Sequence, residues 1–286
     1  MIICITGPTA VGKTKLSIEL AKKYDAVIIN ADSAQVYKEL DIGTAKVTDE
    51  EKEGIKHYLL DIVTIEDEYN VFLYQQQGRT ILDKLIKENK NVIIVGGTGL
   101  YIKALLYDYR FNTLIEDNTL DNLTNEALYE KVITLDSKSN VNINNRQRML
   151  SFIKNFSTTK EYNKDKLLYD TIFIGLTTPR DNLYSKINNR VDNMFNNGLL
   201  DEVITLSSKY KDNQLLSKII GYKEVIKYLN KELTKEECVD LIKKNSRHYA
   251  KRQYTWFNNQ MKLNYINVDY DNFNNTINLA IEIINK

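Results

Sequence analysis

"MIICITGPTAVGKTKLSIELAKKY", Met1 to Tyr24, governs how the rest of this chain is read. Met1–Thr6 is a continuous apolar run of the kind a buried strand uses, and Lys13–Lys23 repeats apolar residues at helical spacing. Between them, Gly7 to Thr14 spaces a glycine, four residues and then Gly-Lys-Thr. A strand before and a helix after are the context that separates a phosphate-cradling loop from a chance match. Gly7 and Gly12 let the backbone approach phosphate oxygens, whose charge meets free N–H groups at the helix start; Pro8, Thr9, Ala10 and Val11 complete the loop. Lys13 would reach the terminal phosphate, and the Thr14 hydroxyl would ligate Mg²⁺. A glycine-containing turn with an exposed lysine is the plainer alternative, and motif plus context weighs against it.

The pattern extends along the chain. Ile2–Thr6, Ala26–Asn30 and Asn91–Val95 are apolar runs suited to parallel strands covered on both faces, with further strands expected at Tyr58–Ile62, Thr171–Leu176 and Tyr265–Val268. Helical patterns lie between them at Lys13–Lys23, Val71–Asn89 and Gly99–Tyr107. The alternation predicts an α/β fold, a P-loop NTPase-like parallel sheet flanked by helices. Residues 1–110 and 167–286 would form this core, ending in amphipathic helices at Arg180–Asn197, Leu199–Tyr210, Ser217–Leu229 and Lys235–Asn259. Residues 111–166 contain no strong strand and many Asn and Asp, with helical pieces such as "NEALYEKVITL"; they are expected to be a small helical insertion.

Bulk properties exclude several classes. A chain of 286 residues can bury a large core. Its two cysteines, Cys4 and Cys238, imply no disulfide framework. No apolar run is long enough for a signal peptide or a membrane span, so a cytoplasmic protein without a membrane partner is expected. Lys and Arg total 39 against 38 for Asp and Glu, and that balance hides a segregation. Lys243 to Val268 contains no Asp or Glu, but holds Lys243, Lys244, Arg247, Lys251, Arg252 and Lys262 among His248, Tyr249, Tyr254, Trp256 and Phe257. Such a stretch suits a nucleic-acid backbone, with Lys244, Arg247 and Lys251 on one helical stripe. Tyr249 and Trp256, at helical spacing, read as core residues. A solvated lysine face enriched by A/T-rich coding is the competing reading.

Proteins that cleave nucleoside triphosphates commonly carry an acid at the end of a second strand. After "NVIIV" this chain has Gly96-Gly97-Thr98-Gly99 and no acid. The acid that follows a strand is Asp32, in "NADSAQVYKELDIGTAK". Its position fits a metal-associated carboxylate, a helix cap or a general base.

"GPTAVGKT", "NADSAQVYKELDIGTAK", "VGGTGLY" and "GYKEVIKYL…RHYAKRQYTWF" occur here in order. Together they resemble the tRNA dimethylallyltransferase family, also called tRNA isopentenyltransferases. The likeness covers most of the chain and is weakest over residues 111–142. It implies transfer of a dimethylallyl group from dimethylallyl diphosphate to N6 of the adenosine just 3′ of the anticodon, in tRNAs reading codons that begin with U. The diphosphate would sit in the loop with Mg²⁺ and leave intact as pyrophosphate, so a hydrolytic acid after "VIIV" is not needed. By the same resemblance, Asp32 takes the N6 proton, Thr98 stands near the reacting centre, and Lys13 and Arg180 meet the diphosphate. Asp32, Ser33, Ala34, Gln35 and Thr98 would contact the adenosine, with Asn144, Asn145, Arg146, Gln147 and Arg148 as a further tRNA-contacting stretch and Lys244, Arg247 and Lys251 along the anticodon stem-loop. An arginine that often follows "TWF" in the family is Asn258 here. His57 and Asp61 also match a family pattern; one histidine without a second nitrogen or sulfur ligand nearby does not make a zinc site, and both are read as structural. A monomer without an obligate protein partner is expected. A P-loop kinase for a small metabolite would share the loop but leave the acid-free basic stretch unexplained, and a non-catalytic RNA binder would need a damaged loop.

Overall fold

The computed structural model describes residues 1–111, 120, 122–137, 139–156, 165–211 and 213–286. Parts of the expected insertion, residues 112–119, 121, 138 and 157–164, lie outside them. The first half runs β1 (Ile2–Thr6), α1 (Lys13–Tyr24), β2 (Ala26–Asn30), α2 (Asp49–Lys52), β3 (His57–Tyr58), α3 (Val71–Lys87), β4 (Asn91–Gly96) and α4 (Gly99–Leu106). Then follow α5 (Asn125–Leu135), α6 (Arg146–Phe156), β5 (Ile172–Thr177), α7 (Arg180–Asn196), α8 (Leu199–Lys209), α9 (Tyr222–Leu229), α10 (Lys235–Gln260), β6 (Asn264–Asn267) and α11 (Phe273–Ile284).

Six strands form one sheet in the order β3-β2-β4-β1-β5-β6, and every pairing is parallel. The central strands are continuous apolar runs because both faces are covered. Ile3, Ile5, Ile28, Ile93, Ile174 and Leu176 from the strands pack with Leu16 and Leu20 of α1 and Leu183 and Ile187 of α7. β1 leads across β4 to β2, while β5 joins its other side, so a crevice opens beyond the carboxyl end of β1.

Contacts divide the chain into two compact units, Met1–Leu106 with Tyr169–Lys286, and Tyr107–Leu168. The smaller unit is helical where described. Thr124 caps α5 by accepting from the Ala127 N–H, and Leu120, Leu128, Val132, Val141 and Met149 form its core.

Two expectations need correction. The strand expected over Tyr58–Ile62 is only His57–Tyr58, because Leu59 and Asp61 take positive φ values of 58° and 55° and leave the sheet. The N–H groups of Asp61 and Ile62 bond instead to the carbonyls of Gln35 and Val36, at 3.2 and 2.9 Å. The helix expected from Ser217 starts only at Tyr222, after Gly221 at φ +99°. Arg146–Arg148 open helix α6. Helix α11, which the sequence reading did not name, packs Phe273, Ile277 and Ile281 on the core.

Candidate active site

The site grows from the carboxyl ends of β1, β2 and β4. Gly7 and Gly12 adopt φ values of +146° and +101°, and a Cβ on Gly7 would stand 2.6 Å from the Leu176 carbonyl oxygen. Only glycine gives the loop that path. Gly12 caps α1 without a side-chain hydrogen bond, so the N–H groups of the first turn are left to an anion. Lys13 turns its ammonium back on the loop, donating to the Pro8 carbonyl at 2.7 Å. Burial in the cleft pushes its pKa down to about 7, and the Arg190 guanidinium pushes the same way against the pull of Asp32. Gln253 of α10 ties the loop to its neighbour: its Oε1 accepts from the Thr9 N–H at 2.9 Å and its Nε2 donates to the Gly97 carbonyl at 3.0 Å.

Asp32 stands two residues past β2. Its backbone N–H donates to the Asn30 side chain at 3.1 Å, and its Oδ1 accepts from the Ala34 N–H at 2.9 Å. Thr98, just past β4, meets it across the crevice through Ser33. The Thr98 Oγ1 accepts from the Ser33 N–H at 3.0 Å and donates to the Ser33 Oγ at 3.2 Å. Gln35 donates to the carbonyls of Thr44 and Ala45, at 3.2 and 3.3 Å.

Lys13, Thr14, Asp32, Gln35, Arg190 and Gln253 line one cavity of about 480 Å³. A second hollow of about 320 Å³, lined by Ser33, Ala34, Met194 and Arg252, shares Thr9, Asp32, Arg190 and Tyr249 with the first. The two therefore meet at a wall that holds Asp32. Arg190 is fixed there by donating to the Thr44 carbonyl at 2.7 Å. Arg180, expected at the diphosphate, is not on this wall. It opens α7, lies 5.0 Å over the Tyr184 ring and lines a separate hollow beside Lys251. The arginine that the fold brings to Lys13 and Asp32 is Arg190, ten residues further along the same helix.

A family model described as IPP transferase matches residues 35–260. The chain belongs to the IPP transferase family. A tRNA dimethylallyltransferase of Staphylococcus haemolyticus is 40% identical, over 93% of this chain and 86% of its own. One of Anoxybacillus flavithermus is 42% identical, over 94% and 91%. Among solved structures, a tRNA delta(2)-isopentenylpyrophosphate transferase of Staphylococcus epidermidis superposes with a TM-score of 0.76 at 37% identity, covering 99% of this chain and 98% of that one. A eukaryotic dimethylallyltransferase acting on tRNA superposes with a TM-score of 0.85 at 27% identity, over 99% and 79%.

Within this family member, the remaining expected residues fall in different places. Asn144 to Arg148 belong to the smaller unit, where Arg146 donates to the Leu123 carbonyl at 2.6 Å. On α10, Lys244 and Lys251 are exposed, whereas Arg247 donates to Asn188 at 2.7 Å and lies 5.7 Å over the Tyr184 ring. Tyr249, expected in the core, instead lines both hollows beside Asp32. His57 lines the larger cavity and burial lowers its pKa, while Asp61 pairs with the buried Lys46. Sequence reasoning missed Arg190, Gln253 and the place of Tyr249. The only signal for them was their spacing on α7 and α10, and that spacing does not say which helix face turns to the cleft. No helix among the described residues is long and apolar enough to cross a membrane.

Proposed function

We propose that the protein transfers a dimethylallyl group from dimethylallyl diphosphate to N6 of the adenosine immediately 3′ of a tRNA anticodon, releasing pyrophosphate. One observation carries the reading: a cation-lined phosphate cavity and a second hollow share the wall that holds Asp32. The diphosphate belongs in the first, against the loop N–H groups, Lys13 and Arg190. The adenine, flipped from the anticodon loop, enters the second, where an unpaired loop base costs less to extrude than a duplex one.

The N6 lone pair attacks C1 of the allyl group, the C–O bond breaks, and its electron pair leaves with pyrophosphate. Negative charge grows on the leaving group, so Lys13, Arg190 and the loop N–H groups bind the transition state better than the ground state. The N6 proton passes to Asp32. With Oδ1 held by the Ala34 N–H, Oδ2 is the oxygen left to receive it. Thr98 keeps Ser33, and with it Asp32, in place.

Mg²⁺ fits this cavity. Thr14 lines it, and a hydroxyl with phosphate oxygens and water is a donor set that the ion takes readily. The described residues contain no cluster of three acidic, histidine or cysteine ligands, so the ion would arrive with the donor. When bound, it adds positive charge at the departing diphosphate. Arg180, Lys244 and Lys251, with the helix-opening Arg146 and Arg148 of the smaller unit, supply cations for the tRNA backbone. We read the protein as a monomer working in the cytoplasm, which fits a tRNA substrate.

Incubation with labelled dimethylallyl diphosphate and unmodified tRNA, against ATP with candidate metabolites, tests the reading. Label in tRNA adenosine with release of pyrophosphate is expected. ATP turnover without transfer to tRNA would restore the kinase alternative.

A further inference from the structure

The hollow that holds Arg180 shares no residue with the cavity of the phosphate loop. It measures about 300 Å³ and lies past the carboxyl end of β5, on the same sheet edge as the cleft. Two phenol rings form its sides. The Tyr254 hydroxyl is pinned by the Thr177 Oγ1 at 3.0 Å and the Thr178 N–H at 3.3 Å, so that ring is a fixed wall. Tyr184 is held by two arginines near its ring, Arg180 at 5.0 Å and Arg247 at 5.7 Å, and Arg247 is itself locked on Asn188. The rings are partly buried, while Arg180, Lys251 and Asn258 stand exposed at the mouth. None of the described lining residues is acidic.

We propose that this hollow is a second nucleotide subsite, which takes one base of the RNA strand against Tyr184 and Tyr254 and its phosphate on Arg180 and Lys251. This rests on the proposed tRNA substrate and adds a contact outside the reaction cleft. The chemistry selects a nucleotide. Flat phenol faces beside a guanidinium plane stack a base of any identity, and two exposed cations without a carboxylate hold a phosphate. An open mouth suits one unit of a strand lying across the sheet edge, in line with the exposed Lys244 on the same face of α10. A free mononucleotide offers the same groups without the strand.

The test uses the full-length protein and an unmodified anticodon stem-loop, titrated at several salt concentrations. Arg180→Gln and Tyr184→Leu are each expected to weaken RNA binding roughly tenfold. Arg180→Gln and Lys251→Gln should each flatten the log–log salt slope by roughly 0.7. Affinity for dimethylallyl diphosphate should not move in any of the three. Tyr184→Phe keeps the ring and should restore the binding lost in Tyr184→Leu, which separates stacking from a fold defect. RNA affinity and slope unchanged in Arg180→Gln would overturn the subsite, and so would a loss of donor affinity in that variant, which would return Arg180 to the diphosphate. Binding of AMP that depends on Arg180, with RNA binding unaffected, would also overturn it by making the hollow a free-nucleotide site. A wild-type protein that does not bind the stem-loop would overturn the tRNA reading as well, whereas wild-type binding matched by the variants sinks the subsite alone.

Discussion

Burial beside Arg190 brings the Lys13 pKa to about 7, and the consequence for pH follows from the direction of that shift. Between about pH 7 and the ordinary lysine value of 10.5, the unfolded chain keeps a proton that the folded protein has released. Stability therefore rises with pH across that window; below it both states are charged and the cost of burying the ammonium is felt in full. A bound diphosphate reverses the balance, because its negative charge favours the ammonium form. At about pH 8, pyrophosphate binding is expected to take up a proton, measured by calorimetry in buffers of different ionisation heat, and Lys13→Ala should abolish the uptake. Wild-type binding without proton uptake would remove Lys13 from the phosphate. Asp32 gives a second prediction. Asp32→Ala should lower single-turnover transfer by roughly 10²–10⁴, the range for loss of a general base, while tRNA affinity stays within a few-fold. Near-normal transfer would end its assignment as the proton acceptor.

The loop from Asp41 to Lys46 has no regular structure, yet it fixes the cleft through a neighbouring helix. Glu202 of α8 accepts the N–H groups of Asp41, Ile42 and Gly43, at 3.2, 2.7 and 3.0 Å, and the Tyr222 hydroxyl at 2.6 Å. Tyr222 in turn packs so closely on Gly43 that a Cβ there would lie 2.4 Å from its ring. The Thr44 carbonyl just beyond receives both Arg190 and Gln35. Glu202→Ala leaves these donors without their acceptor, a loss of roughly 1–3 kcal/mol. The unfolding free energy from denaturant titration should fall by that amount, and pyrophosphate affinity should fall with it, because Arg190 loses its support. Unchanged pyrophosphate affinity in the destabilised variant would show that the loop holds the fold but not the arginine.

Two compact units with separate cores make the protein's unfolding divisible. The smaller unit packs its helices on Leu120, Leu128, Val132, Val141 and Met149, a small core for an independent fold. Two thermal transitions are expected in calorimetry. Pyrophosphate at about 100 times its dissociation constant should stabilise only the larger unit, by ~2.7 kcal/mol. Met149→Ala should lower only the other transition. A single transition shifted by both changes would mean that the units unfold as one.

Features set by neighbouring residues were legible before any fold was known. The Gly7–Thr14 spacing, the apolar runs of β1, β2 and β4, and the Asp32 and Thr98 turns are local patterns: the runs are the strands themselves, and the loop and the two turns follow their carboxyl ends. Strand β3 escaped because its length depends on positive φ values at Leu59 and Asp61, held by bonds to a distant loop. The arginine of the cleft escaped for a similar reason. Arg180 and Arg190 lie on one helix, and at ~100° and ~1.5 Å per residue they differ by ~80° in direction and ~15 Å in height. Both are basic residues in a plausible motif, and nothing in their order along the chain says which one turns inward. That was settled by the packing of Leu183, Ile187 and Val191 against the core, which points Arg190 at Lys13 and leaves Arg180 beside Tyr184.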